Sequence, residues 1–116
     1  MNTDAQPGQN ANPTLAAALD LLWVRFLPEI RERVAILEAA AAASAANQLS
    51  TGQREAANSA AHKLAGTLGT FSLARGTELA REFEILSSHE DASSADLAGR
   101  FAAIATELRI VVDSRK

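Results

Sequence analysis

The sequence predicts an all-helical fold: an antiparallel bundle of helices joined by short loops. Three observations carry that expectation. Hydrophobic residues make up 47% of the 116 residues but aromatics only 4%, with alanine abundant, and small apolar side chains without β-branched runs favour packed helices over a sheet. Apolar residues recur at intervals of three and four over several stretches. Those stretches are bounded by caps and breakers rather than by hairpin turns.

Taken in order, residues 1–13, MNTDAQPGQNANP, are polar, contain Pro, Gly and Asn, and show no apolar period, so they read as a disordered tail or linker. The folded unit is expected over residues 14–116. Thr14 is a plausible N-cap for TLAAALDLLWVRF, in which Leu15, Leu19, Leu22, Trp23 and Phe26 share a helical stripe. Pro28 then interrupts the pattern, giving either one kinked helix or two helices meeting near Leu27. The stretch after it continues the stripe with Ile30, Val34, Leu37 and Ala41, and the alanine run 39–43 has high helix propensity. Ser50 and Gln53 form a capping-box pattern opening a third helical segment, about Thr51 to Phe71. A break near Ser72 precedes a fourth, about Leu73 to Ser88. SSHEDASS reads as a polar loop. Ser93 or Ser94 opens the last helix, with Leu97, Phe101, Ile104, Leu108 and Val111 on its apolar stripe.

Composition excludes several functions. A net charge of −3 argues against a nucleic-acid or anionic-membrane partner, since both recruit basic surfaces. Zero cysteines removes thiolate catalysis and zinc–cysteine sites. It also fits a reducing cytoplasm. No apolar run approaches the roughly 20 residues of a membrane span, and no signal-peptide pattern opens the chain.

The third segment is the informative one. At about 100° per residue, Ala57, Ala61, Leu64, Leu68 and Phe71 fall on one core face. His62 precedes Leu64 by two positions and so lies nearly opposite it, toward solvent. Its helical neighbours Asn58, Ser59, Ala65, Gly66 and Gly69 are small or compact. Each interior glycine costs roughly 1 kcal/mol relative to alanine. Close approach of a second surface to the His62 ring, tighter packing between helices, or a helix C-cap are the three explanations spacing leaves open. By composition alone a lone surface histidine is a solvated residue.

The surrounding pattern points further. AAHKLAGTLGTFSLARGTELAREFE resembles the signature of histidine-containing phosphotransfer (HPt) domains: His62, Leu64 two positions on, Gly66 four on, then Gly69, a turn, Leu73 or Leu79, and a late acidic residue, Glu84. The motif spans about a quarter of the chain, and the flanking helices match the family in length and order from about Thr14 onward. The resemblance implies an up-down four-helix bundle with an additional N-terminal helix. It implies that His62 accepts a phosphoryl group from a receiver-domain aspartyl phosphate, in a bacterial-type phosphorelay, and passes it to another receiver. Glu84 then corresponds to the residue that hydrogen-bonds the histidine Nδ1–H and leaves Nε2 as nucleophile. Lys63 corresponds to a cation offsetting phosphoryl charge, and Gly66 clears space beside the ring. Solvated surface charges are the plain alternative for both Glu84 and Lys63.

Partner docking is expected over Asn58, Ser59, Ala65, Gly66, Gly69 and Thr70. The implied partners are response-regulator receiver domains and a hybrid histidine kinase, met by a cytoplasmic monomer. The chain itself needs no cofactor or metal, because the Mg²⁺ and acidic pocket belong to the receiver. Two departures stand out. The family often has a lysine three residues after the histidine, here Ala65, and a later turn glycine, here Ser72.

Other readings are weaker. A kinase dimerisation helix pair follows its histidine with an acidic residue and a proline, whereas Lys63 follows His62. A di-metal bundle needs Glu-x-x-His pairs, and neither His62 nor His89 has a glutamate three residues earlier; His89 reads as a solvated loop residue. A helical adaptor that docks signalling partners without phosphorylation remains the alternative. Trp23 and Phe26 read as core, with a docking patch as the lesser option for Trp23.

Overall fold

Four stretches each turn one apolar stripe inward, and together they close a four-helix bundle. The computed structural model describes residues 7–89 and 95–115, with side chains from Thr14 onward. Helix α1 spans Pro7–Ala45, α2 Thr51–Thr70, α3 Ala74–Ser87 and α4 Ala95–Ser114. The helices pack in a ring, α1 on α2, α2 on α3, α3 on α4 and α4 back on α1. The core is built from all four: Ile30, Val34 and Leu37 from α1, Leu64 and Leu68 from α2, Leu79 and Phe83 from α3, and Phe101, Ile104 and Leu108 from α4 are all fully buried or nearly so. The Phe83 and Phe101 rings meet at 4.5 Å between centroids. Contact of this kind supplies most of the stability of such helices, because propensity alone is marginal.

Both ends of α2 are set by local chemistry. Ser50 is its N-cap, and its hydroxyl accepts from the Gln53 backbone N–H at 3.1 Å. The Gln53 side chain does not close the reciprocal half of the box; it reaches the Ala39 carbonyl of α1 at 3.5 Å. At the other end Leu73 N–H donates to the Leu68 carbonyl and Ser72 N–H to the Gly69 carbonyl. This Schellman arrangement puts Ser72 at φ 59°, the left-handed position that glycine fills more easily.

The additional N-terminal helix is not a separate element. Its sequence is the first half of α1, which runs unbroken through Pro28. Pro28 cannot donate to the Val24 carbonyl; both residues are exposed, so the lost bond lies on the solvent-facing side of α1. Trp23 and Ile30, both buried, anchor the helix on either side. Of the expected tail, residues 1–6 lie outside the described residues, and Pro7–Pro13 form the first turns of α1. Leu15, Leu22 and Phe26 of the predicted stripe are exposed, not core, whereas Trp23 is buried and Leu19 packs partly buried against the core. The Phe26 ring meets Phe71 edge-on, at 6.4 Å between centroids. In α4 the stripe drifts by one residue, so that Val112 rather than Val111 is buried. Ser93 and Ser94 lie outside the described residues; His89 is exposed just after α3.

Candidate functional site

His62 sits mid-way along α2 with its core neighbours Ala61 and Leu64 fully buried. That anchoring turns the imidazole outward, and its side chain is 73% exposed. The ring is not free. His62 Nδ1 lies 2.8 Å from Glu84 Oε2 of α3. With its proton on Nδ1, the ring donates to the carboxylate and keeps the Nε2 lone pair facing solvent.

The α3 segment under Glu84 is held by a polar ladder from α2. Asn58 Nδ2 donates to the Glu84 carbonyl at 2.7 Å and to Ser87 Oγ at 3.0 Å. Ser87, 1% exposed, donates back to the Glu84 carbonyl at 3.1 Å. Arg54 donates to the Ser87 carbonyl at 2.8 Å. Two turns beyond Asn58, Thr77 Oγ1 donates to the Ala65 carbonyl at 3.3 Å. These bonds fix the register of α3 on α2, and so fix where the Glu84 carboxylate meets the ring.

The residues expected around His62 therefore divide by flank. Ser59, Gly66, Gly69 and Thr70 are exposed on α2, and Thr70 Oγ1 bonds back to the Gly66 carbonyl. Lys63 is exposed. Ala65, expected on the open face, is 5% exposed and covered by α3. Asn58 is half-buried and spent on the ladder. Both lie on the side of α2 that α3 covers, and helical period alone does not say which flank a neighbour takes.

The glycines divide as well. A Cβ on Gly66 would meet nothing within 4 Å, so internal packing does not account for it. Gly69 is the next-to-last residue of α2, and a Cβ there would meet only Thr77 Oγ1 within 4 Å, at 3.6 Å, an ordinary contact. Tight packing is instead required at Gly76 of α3, where a Cβ would stand 2.8 Å from Leu68 Cδ1 and 3.2 Å from Val111 Cγ1. Its position three residues before Leu79 and four before Ala80 was the available signal. An open, shallow depression runs beside the ring. His62, Ala65 and Gly66 line it from α2, and Arg81, Glu84 and Ile85 from α3. Arg81 and Ile85, the latter 61% exposed, were not singled out by the sequence. Among the described residues no three His, Cys, Asp or Glu side chains cluster as metal ligands.

The sequence that builds this site also matches a known family over most of its length. A family model of the Hpt domain matches residues 21–113. The chain belongs to the Hpt domain family. Hpt domains perform histidine phosphotransfer in phosphorelay signalling, as carriers that interact with receiver domains and kinases. A curated relative, the protein RcaC of Microchaete diplosiphon, is 38% identical over 68 residues, which is 59% of this chain and 10% of that protein. The chain thus spans a small part of its relative's length. No solved structure matches it. No helix among the described residues is long and apolar enough to cross a membrane.

Proposed function

We propose that His62 is the phosphoryl carrier of this Hpt domain, loaded by an aspartyl phosphate on a receiver domain and unloaded onto a second receiver. The observation that carries the reading is the pair His62 Nδ1 and Glu84 Oε2 at 2.8 Å on an otherwise open helix face. The Nε2 lone pair attacks phosphorus, the P–N bond forms, and the P–O bond to the receiver aspartate breaks, returning a carboxylate. Nδ1–H keeps its proton throughout, and Glu84 faces the positive charge the ring acquires. Unloading is the same step reversed on another aspartate. Gly66, with open space where its side chain would be, lets the receiver approach the ring. Mg²⁺ and the acidic pocket come with the receiver, and the domain works as a monomer in the cytoplasm.

Incubation with a phosphorylated receiver domain tests this. The expected result is an acid-labile, alkali-stable label on the chain that is lost in His62→Gln. Label transfer that survives the substitution refutes the carrier role, and docking without any transfer supports an adaptor instead.

A further inference from the structure

The depression beside His62 contains a cation that the α2 sequence does not supply. Position 65, three residues after His62, lies on the α3 side of α2, and it is an alanine covered by α3. Arg81 lines the same depression from α3. It stands three residues before Glu84, on the same helix face. The bonds Glu84–His62 and Thr77–Ala65 bracket it, so it lies level with the His62–Gly66 stretch. It is exposed and lines the depression together with His62 and Gly66.

Arg81 also differs from most arginines of the chain. Six others each hold a carboxylate, and Arg54 holds a backbone carbonyl. Arg81 makes no ion pair or hydrogen bond among the described residues. Lys63, the other cation near the ring, is displaced by about 100° around α2 from His62, whereas position 65 lies about 60° round on the opposite flank. The α3 side of the depression therefore has Arg81 as its cation among the described residues, next to a carboxylate already committed to Nδ1.

We propose that Arg81, which lines the depression with His62 and Gly66, binds the phosphoryl group on His62. This rests on the carrier reading of His62. A phosphoryl group on Nε2 adds two negative charges close to the Glu84 carboxylate. A guanidinium can offset them with two parallel N–H donors to two phosphoryl oxygens. The side chain needs no rearrangement of the fold, since it leaves no partner, and Gly66 leaves the space above the ring open.

The test loads the intact protein with phosphoramidate, without any receiver. Nε2 attacks phosphorus, the P–N bond to ammonia breaks, and ammonia leaves with the electron pair. Phosphorus NMR then follows the last ionisation of the phosphoryl group on wild type, Arg81→Gln and Arg81→Lys. Loss of the nearby cation is expected to raise that pKa by about half a unit, less than a close buried charge pair would give because the site is open to water. Arg81→Lys should recover part of the shift. An Arg81→Gln protein whose phosphoryl group titrates as in wild type overturns the proposal. Transfer from a phosphorylated receiver to the wild-type chain is read separately. Its failure refutes the carrier reading, while intact transfer with an unchanged titration refutes only the role of Arg81.

Discussion

The seam between α2 and α3 and the seams that α4 makes are built differently. At the first, side chains bond to backbone: Asn58 to the Glu84 carbonyl, Arg54 to the Ser87 carbonyl and Thr77 to the Ala65 carbonyl. Around α4, arginines bond to carboxylates: Arg109 to Glu38, Arg31 to Asp113, Arg100 to Glu82 and Arg75 to Glu107. Those pairs are substantially exposed, and exposed pairs are worth about 0–1 kcal/mol each. A backbone acceptor has no rotamer to adjust, so the α2–α3 seam defines register more tightly. Among the described residues it also leaves the Glu84 carboxylate without an arginine partner and bonded to His62. The molecule is stiffest in register where a carboxylate must meet a ring nitrogen, and adjustable where only association is needed.

The comparison breaks most severely at Gly76, where α2, α3 and α4 meet. Gly76→Leu should destabilise by about 1–3 kcal/mol through overpacking against Leu68 and Val111, read by urea unfolding. Gly66→Ala, on the open flank, should instead stabilise by up to about 1 kcal/mol. Equal effects at the two glycines would show that the seam is not closed at one and open at the other.

Asn58→Ala removes two bonds; the Glu84 carbonyl keeps only the Ser87 hydroxyl as a side-chain donor, and the buried Ser87 Oγ loses the donor it accepts from. It should cost about 1–3 kcal/mol and slow phosphoryl uptake at His62 by loosening Glu84. Arg109→Ala, at the α1–α4 seam, should cost less than about 1 kcal/mol and leave uptake unchanged. A larger loss for Arg109→Ala would reverse the ranking of the seams.

The smallest effect is that of acid. Hydrogen bonding from Arg100 lowers the Glu82 pKa, and hydrogen bonding from Arg75 lowers that of Glu107. Carboxylates whose folded-state pKa is depressed contribute stability above their unfolded value, and that contribution is lost as pH falls through the folded value. Urea midpoints should therefore decline modestly below about pH 4.5. The decline should shrink in Glu82→Gln, while Asn58, Ser87 and Thr77 carry no titrating group. A decline unaltered in that variant would place the acid sensitivity elsewhere.

Much of this arrangement was legible in the chain. The bounds of α2 and α3 follow from the Ser50 cap and the break at Ser72, and the outward direction of His62 follows from its offset to Leu64. The pairing of Glu84 with His62, 22 residues apart, is not a matter of periodicity; it came through family resemblance, and the observed 2.8 Å contact depends on how α3 lies across α2. For the same reason Ala65 was expected open and is covered, Asn58 was expected at a docking face and is a clasp, and Arg81 was overlooked. Helical spacing defines an exposed hemisphere but not which half of it a neighbouring helix takes. Pro28 left one kinked helix or two helices open in the sequence, and packing on both sides of it carries α1 through as one helix.

The central claim is that Nε2 of His62 carries the phosphoryl group while Nδ1 stays bonded to Glu84. Nitrogen-15 NMR of the imidazoles after loading from a phosphorylated receiver tests it most directly. The account predicts phosphorus coupling at Nε2 of His62, with Nδ1 still protonated. Phosphorus on Nδ1 of His62, or on another residue, would contradict it.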